Sequence, residues 1–193
     1  MSPEQRKKPY VVNVGLPRTG TTSFTKASQI LGLSSLHVWL EAEYDTDVCN
    51  DIRNFGKYSQ RFLSQYATLS DTPFFILRKT FEKHYPGTRL IFTTRCKASW
   101  IKSMISHGTA GGQFLRDIYD VPSGDYTSEH TPYLSTIYDR HHQAECAGLP
   151  EIHLTEMSDD DKWRVLCEAL PDSDRYMSIC RGLPWPHQNK SRK

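Results

Sequence analysis

A three-layer α/β fold, with a short, mainly parallel sheet flanked by helices, is predicted by three observations on this 193-residue sequence. A β-branched apolar run, Tyr10-Val-Val-Asn-Val-Gly15, precedes a loop that leads straight into a helical pattern. Further strand-like and helix-like segments then alternate along the chain, the order that yields parallel strands with helices on both faces. The length suits a single domain spanning 1–193, since a chain of this size buries roughly 70% of its unfolded surface in one core.

The elements follow in order. Residues 1–8 are polar and read as a flexible N-terminus. Tyr10 to Gly15 is the first strand. Thr22 to Leu31 carries Phe24, Ala27, Ile30 and Leu31 at helical spacing, with Gly32 as its stop. Leu36 to Leu40 is a second short strand or a buried loop. Asp45 to Tyr66 is polar with scattered aromatics and predicts two surface helices broken near Gly56. Phe74 to His84 is a helix that ends before the turn Tyr85-Pro86-Gly87. Arg89 to Thr94 is the clearest later strand, and Ala98 to His107 the helix behind it. Gly108 to Thr131, rich in Gly, Ser, Thr, Asp and Pro, reads as a long loop. Tyr133 to Ala147 predicts a helix, Glu151 to Thr155 a strand, and Asp160 to Leu170 a helix begun by an acidic cap. After Pro171 the chain is expected to be irregular, with a basic tail over 185–193.

Composition excludes some functions. With 24 Lys and Arg against 22 Asp and Glu, the formal charge is only +2, too small for bulk binding to nucleic acid or a membrane surface. No apolar run approaches the roughly 18 residues of a membrane helix, and Met1 to Lys8 does not resemble a signal peptide. The five cysteines are odd in number and lack a C-x-x-C pair, which fits reduced thiols and a cytoplasmic location. Cys146 with His141 and His142 lacks the spacing of a zinc site, so no metal is expected. Oligomeric state is left open, a homodimer included. Anion binding must therefore be local.

The strongest local signal is Gly15-Leu-Pro-Arg-Thr-Gly20-Thr21-Thr22, between the first strand and the first helix. Its G-x-x-x-x-G frame followed by two hydroxyl residues matches a P-loop, except that Thr21 stands where lysine is expected. Such a loop holds phosphate because successive backbone N–H groups and the positive helix end converge on its oxygens. Arg18 restores the missing charge from the other side of the loop. The predicted architecture is thus a three-layer P-loop fold.

Gly15-Leu-Pro-Arg-Thr-Gly-Thr-Thr-Ser23 resembles the 5′-phosphosulfate loop of sulfotransferases that use 3′-phosphoadenosine 5′-phosphosulfate (PAPS). The resemblance implies that Pro17, Arg18, Thr19, Gly20, Thr21, Thr22 and Ser23 cradle the phosphosulfate, with no metal required. Arg95 to Ser103, an Arg leaving a strand and a Ser eight positions later, resembles the second signature of that superfamily and implies a grip on the 3′-phosphate. A bidentate guanidinium fork suits that task. Asp71-Thr-Pro73, Tyr85-Pro86-Gly87, Trp163 to Leu170 and Pro184 to Asn189 are similar to further patterns of a compact sulfotransferase family. Cys96-Lys97 departs from the usual acidic-or-Asn then Pro.

Sulfuryl transfer to the hydroxyl or amine of a small-molecule or glycan acceptor also needs a general base. His37, in Leu36-His-Val-Trp, is the preferred candidate because imidazole is substantially neutral at pH 7. Asp71 is the second, placed at an expected strand end, with a helix N-cap as its alternative role. His141 and His142 point in different directions and read as surface or core residues. The aromatics Trp39, Tyr44, Phe55, Tyr58 and Phe62 line an acceptor pocket or simply pack. Two alternatives stand beside sulfotransfer. One is an ATP-dependent P-loop kinase of a small molecule, opposed by Thr21 and by the lack of an obvious acidic residue after an apolar strand to hold Mg²⁺. The other is a catalytically inactive nucleotide-binding module.

Overall fold

The computed structural model describes residues 8–37, 63–107 and 126–187. Five parallel strands form one sheet in the order β2-β3-β1-β4-β5. They are β1 (Val11–Asn13), β2 (Ser35–Leu36), β3 (Thr68–Ser70), β4 (Arg89–Thr94) and β5 (Glu151–His153). Val12 pairs with Leu69 on one side and with Leu90 on the other, which places β1 at the centre. Parallel neighbours need crossover connections, and the helices that supply them cover both faces. These are α1 (Thr21–Ile30), α2 (Arg78–His84), α3 (Lys97–His107), α4 (Thr131–His141), α5 (Asp159–Glu168) and α6 (Ser173–Cys180). The architecture is therefore the predicted three-layer α/β fold.

Strand alternation builds the two outer layers. Val11 and Ile91 point to one side and join Phe24, Ala27, Trp163, Leu166 and Trp185. Val12, Leu90 and Phe92 point to the other and join Phe74, Leu77, Phe81 and Cys146. A third cluster, with Leu16, Phe75, Trp100 and Leu134, closes the end of the molecule beneath the loop after β1. From β1 the chain turns toward β2 and β3, whereas from β4 it proceeds to β5 on the opposite side. Strand order thus reverses between β1 and β4, the place where open α/β sheets bind ligands at their carboxyl ends.

Several expectations need correction. The chain after Pro171 is not irregular, because Ser173–Cys180 is helix α6, with Tyr176, Met177 and Cys180 against the core. Trp185 does not belong to a loose tail; it is buried edge-on against Trp163, with ring centroids 5.0 Å apart. The Trp163 and Trp185 motifs therefore serve packing. The expected helix over Phe74 to His84 is a 3₁₀ turn at Phe74–Ile76, then Leu77, then α2. Glu145 Oε2 accepts the Arg78 N–H there at 3.2 Å and caps the second piece. Ser158, not an acidic residue, caps α5 through the Asp161 N–H, and three aspartates occupy the first turn. Of β3 only its end at Asp71 was expected: Thr-Leu-Ser is short and polar, yet fully buried. Its hydroxyls pair with Ser35 on β2 and Thr25 on α1. The end of the expected Gly108 to Thr131 loop is ordered, with a 3₁₀ turn at Ser128–His130. Residues 45–62 of the two helices expected within Asp45 to Tyr66, and the aromatics Trp39, Tyr44, Phe55, Tyr58 and Phe62, lie outside the described residues. Among the described residues no helix is long and apolar enough to cross a membrane.

Candidate functional site

The loop after β1 is held from behind, carbonyl by carbonyl. His141 Nε2 donates to Val14 O at 2.8 Å, the Thr19 hydroxyl to Leu16 O at 2.5 Å, and Trp100 Nε1 to Pro17 O at 2.8 Å. Asn13 ties the loop to β4: its Oδ1 accepts from Gly15 N and Thr93 N, both at 2.9 Å, and its Nδ2 donates to the Thr93 hydroxyl. Gly20 then starts α1 in the left-handed region at φ 100°, with no side chain capping the helix. A Cβ there would meet Leu154 Cδ1 at 2.5 Å, so this position requires glycine for space as well as for φ. The first-turn N–H groups of a helix have no intrahelical acceptor, and here no carboxylate stands in that turn. What faces outward is the positive end of a helix, open to an anion.

His141 is completely buried, and burial pushes its pKa down to about 3. It is neutral at physiological pH, so Nε2–H is a permanent donor. In the unfolded chain the same group titrates near 6.5, so it binds a proton there that the native state refuses. Stability is therefore fully present above pH 6.5 and falls as pH drops from 6.5 toward 3. This group alone is expected to cost about 2 kcal/mol between pH 7 and pH 5. His37 and His142, also lowered chiefly by burial, act in the same direction. Urea melts at the two pH values check this. His141→Gln keeps a donor without titrating, and should remove about 2 kcal/mol of the difference.

Two arginines flank the loop from neighbouring strands. Arg18 sits in the loop with φ 69°, a left-handed conformation rare for arginine, and its Nε donates to Ser103 Oγ on α3 at 3.4 Å. Arg95 follows β4 directly, and its backbone carbonyl accepts the Tyr138 hydroxyl at 2.7 Å. The Arg95 guanidinium has its pKa lowered, first by burial and then by the charge of Arg18. Its Nε is buried with no hydrogen-bond partner among the described residues. Arginine stays charged in proteins, so two cations are held close together with a buried donor unspent. An anion bearing several negative charges satisfies that arrangement.

On the other side of the loop the two base candidates meet. His37 Nε2 lies 3.4 Å from Asp71 Oδ2, 3.1 Å from Thr22 Oγ1 and 3.2 Å from Thr21 Oγ1. The Thr21 hydroxyl donates to Asp71 Oδ2 at 2.5 Å. Burial lowers the pKa of His37, and Asp71 partly offsets this. Asp71 follows β3 with φ 72°.

Of the residues singled out from sequence, Pro17 to Ser23, Arg18, Arg95 and Ser103 lie around the carboxyl ends of β1 and β4, and His37 and Asp71 at those of β2 and β3. Ser103 contacts Arg18, and no hydrogen bond joins it to Arg95. Cys96 starts α3 through its carbonyl, and Lys97 is paired with Asp139 at 2.8 Å, away from the arginines. Asn13, Thr93, Trp100, Tyr138 and His141 were not foreseen as supports. Asn13, a polar residue inside an otherwise β-branched strand, was the one legible sign.

The fold and this cluster define an α/β protein that gathers two arginines and an uncapped helix N-terminus at one end of its sheet. The family model described as a sulfotransferase domain matches residues 10–113. A relative from Aspergillus versicolor, Ava biosynthesis cluster protein M, is 31% identical over 198 residues, covering 83% of this chain and 75% of its own length. The chain belongs to the sulfotransferase domain family, and is accordingly a transferase of the sulfotransfer type.

Proposed function

We propose that the protein transfers a sulfuryl group from PAPS to a hydroxyl or amine of a small-molecule or glycan acceptor, as one domain formed by most of the chain. The observation that carries this reading is the Arg18–Arg95 pair beside an uncapped helix, with the buried Arg95 Nε unpartnered among the described residues. Arg18, the loop hydroxyls and the first-turn amides of α1 fit the phosphosulfate, and Arg95 fits the 3′-phosphate. Ser103 fits either phosphate through its contact with Arg18. The acceptor oxygen bonds to sulfur as the sulfur–oxygen bond to the 5′-phosphate breaks, leaving adenosine 3′,5′-bisphosphate. Arg18 and the amides neutralise the charge that grows on the leaving oxygen, and the His37–Asp71 pair takes the acceptor's proton. A small-molecule acceptor is in keeping with the relative's name as a biosynthesis cluster protein.

Phosphoryl transfer keeps one specific argument. Asp71 follows β3, beside β1, with its carboxylate on a loop hydroxyl, which supplies an acidic residue after a strand that the sequence did not make obvious. Thr21 in the lysine position still opposes it.

Calorimetric titration separates the two. Adenosine 3′,5′-bisphosphate is expected to bind without Mg²⁺, and Arg95→Ala to weaken it by about 30-fold, the equivalent of roughly 2 kcal/mol for a charged hydrogen bond. A preference for Mg-ATP overturns the proposal. Bisphosphate binding with no sulfation of any acceptor points to an inactive nucleotide-binding module.

A further inference from the structure

Hydrogen-bond accounting around His37 assigns its protons. Asp71 accepts three hydrogen bonds, from the Thr72 N–H at 2.8 Å, the Thr72 hydroxyl at 3.2 Å and the Thr21 hydroxyl at 2.5 Å, the pattern of a carboxylate. The single proton of Thr21 is thereby committed to Asp71, and toward His37 its oxygen offers only lone pairs. Asp71 Oδ2 likewise offers only lone pairs. His37 Nε2 faces both, at 3.2 and 3.4 Å, and the Thr22 hydroxyl at 3.1 Å, which can donate or accept; a lone pair on that nitrogen would oppose two fixed acceptors, whereas an N–H finds an acceptor in all three. Nε2 therefore carries a proton. In a neutral imidazole the lone pair then lies on Nδ1, and every hydrogen bond of His37 among the described residues runs through Nε2.

We propose that Asp71 is a positioning residue rather than the base: its carboxylate holds His37 in the Nε2–H form, and Nδ1 of His37 receives the acceptor's proton. This rests on the sulfotransfer reading for the identity of the step. The acceptor O–H proton passes to Nδ1 while the acceptor oxygen bonds to sulfur and the sulfur–oxygen bond to the 5′-phosphate breaks. The resulting imidazolium keeps its Nε2–H against Thr21 and the Asp71 carboxylate, the same division of labour by which a buried carboxylate orients and stabilises a catalytic histidine elsewhere. Thr21, standing where a P-loop lysine is expected, becomes the hydroxyl that bridges carboxylate and imidazole.

Nitrogen-15 NMR of the histidine-labelled protein at pH 8 reads the tautomer without any substrate, with His37→Gln identifying the signal. The Nε2–H form is expected in the native protein. Asp71→Asn, whose amide can donate where the carboxylate only accepted, is expected to shift His37 toward the Nδ1–H form. A native Nδ1–H signal overturns the proposal, whatever reaction the protein performs.

The kinetic arm is a double-mutant cycle with the purified full chain, PAPS and an acceptor. Asp71→Asn is expected to lower kcat about 100-fold, with the bisphosphate Kd changed by less than about threefold. His37→Gln is expected to lower kcat at least as far. The double variant should fall no further than His37→Gln alone, since Asp71 acts through His37. Multiplicative losses overturn the positioning role and make Asp71 a second, independent participant. If the native protein shows no sulfotransfer at all, the proposed function fails while the tautomer result still stands or falls on its own.

Discussion

Replacing Arg18 with alanine is expected to lower kcat for sulfuryl transfer by about 10²- to 10³-fold, the loss seen when one preorganised donor to a developing oxyanion is removed. Arg18 is the cation carried by the loop itself, and its place is set by local backbone geometry: φ is 69°, and the flanking carbonyls are fixed by Thr19 and Trp100. A guanidinium held this way pays little reorganisation when charge appears on the leaving oxygen. Arginine already meets the backbone cost of positive φ, which alanine and lysine share through the same Cβ. Arg18→Lys therefore isolates the charge, keeping it on a different head group. It should recover kcat to within about tenfold of the native value. Steady-state kinetics with calorimetry of bisphosphate binding read both variants. Equal losses in Arg18→Lys and Arg18→Ala would mean that loop geometry, not charge, is responsible.

Gly15→Ala is expected to destabilise the fold by about 3 kcal/mol and to abolish measurable bisphosphate binding. Its Cβ would clash with the Thr93 carbonyl oxygen and lie 2.8 Å from both Thr93 N and Oγ1. Relief by movement of β4 is blocked, because that strand is paired with β1 on one side and β5 on the other. Relief by movement of the loop breaks the Asn13 bridge, which accepts Gly15 N and Thr93 N on one oxygen. Urea denaturation measures the first effect and calorimetry the second. An alanine variant as stable as the native protein would show that β1 and β4 do not meet this closely at the loop.

The site was legible in sequence where it is local. Gly15 to Ser23 could be read because strand, loop and helix are contiguous and each obeys a short-range rule. Arg95 could be read because β4 is an apolar run that ends just before it. Helix α6 was hidden by Pro171 and by an exposed, polar stretch whose few anchors, Tyr176, Met177 and Cys180, show as core residues only when α5 is beside them. Apart from its end at Asp71, β3 was hidden because Thr68, Leu69 and Ser70 take their burial from neighbours on β1 and β2 rather than from hydrophobicity of their own.

What the sequence determined by itself is the alternation of strands and helices, the glycine-framed loop between the first strand and helix, and two arginines each following a strand. Backbone propensity and side-chain periodicity act within a few residues, so these features survive without any knowledge of the partner elements. The tertiary structure alone decided that β1 and β4 are neighbours at the reversal of strand order, which brings the charges of Arg18 and Arg95 together. It also decided that Asp71 meets His37 across the loop hydroxyls, and that His141, 127 residues along the chain, holds the Val14 carbonyl. Those contacts depend on sheet order and crossover packing, which minimise exposed apolar surface over the whole chain and leave no trace in any short window of it.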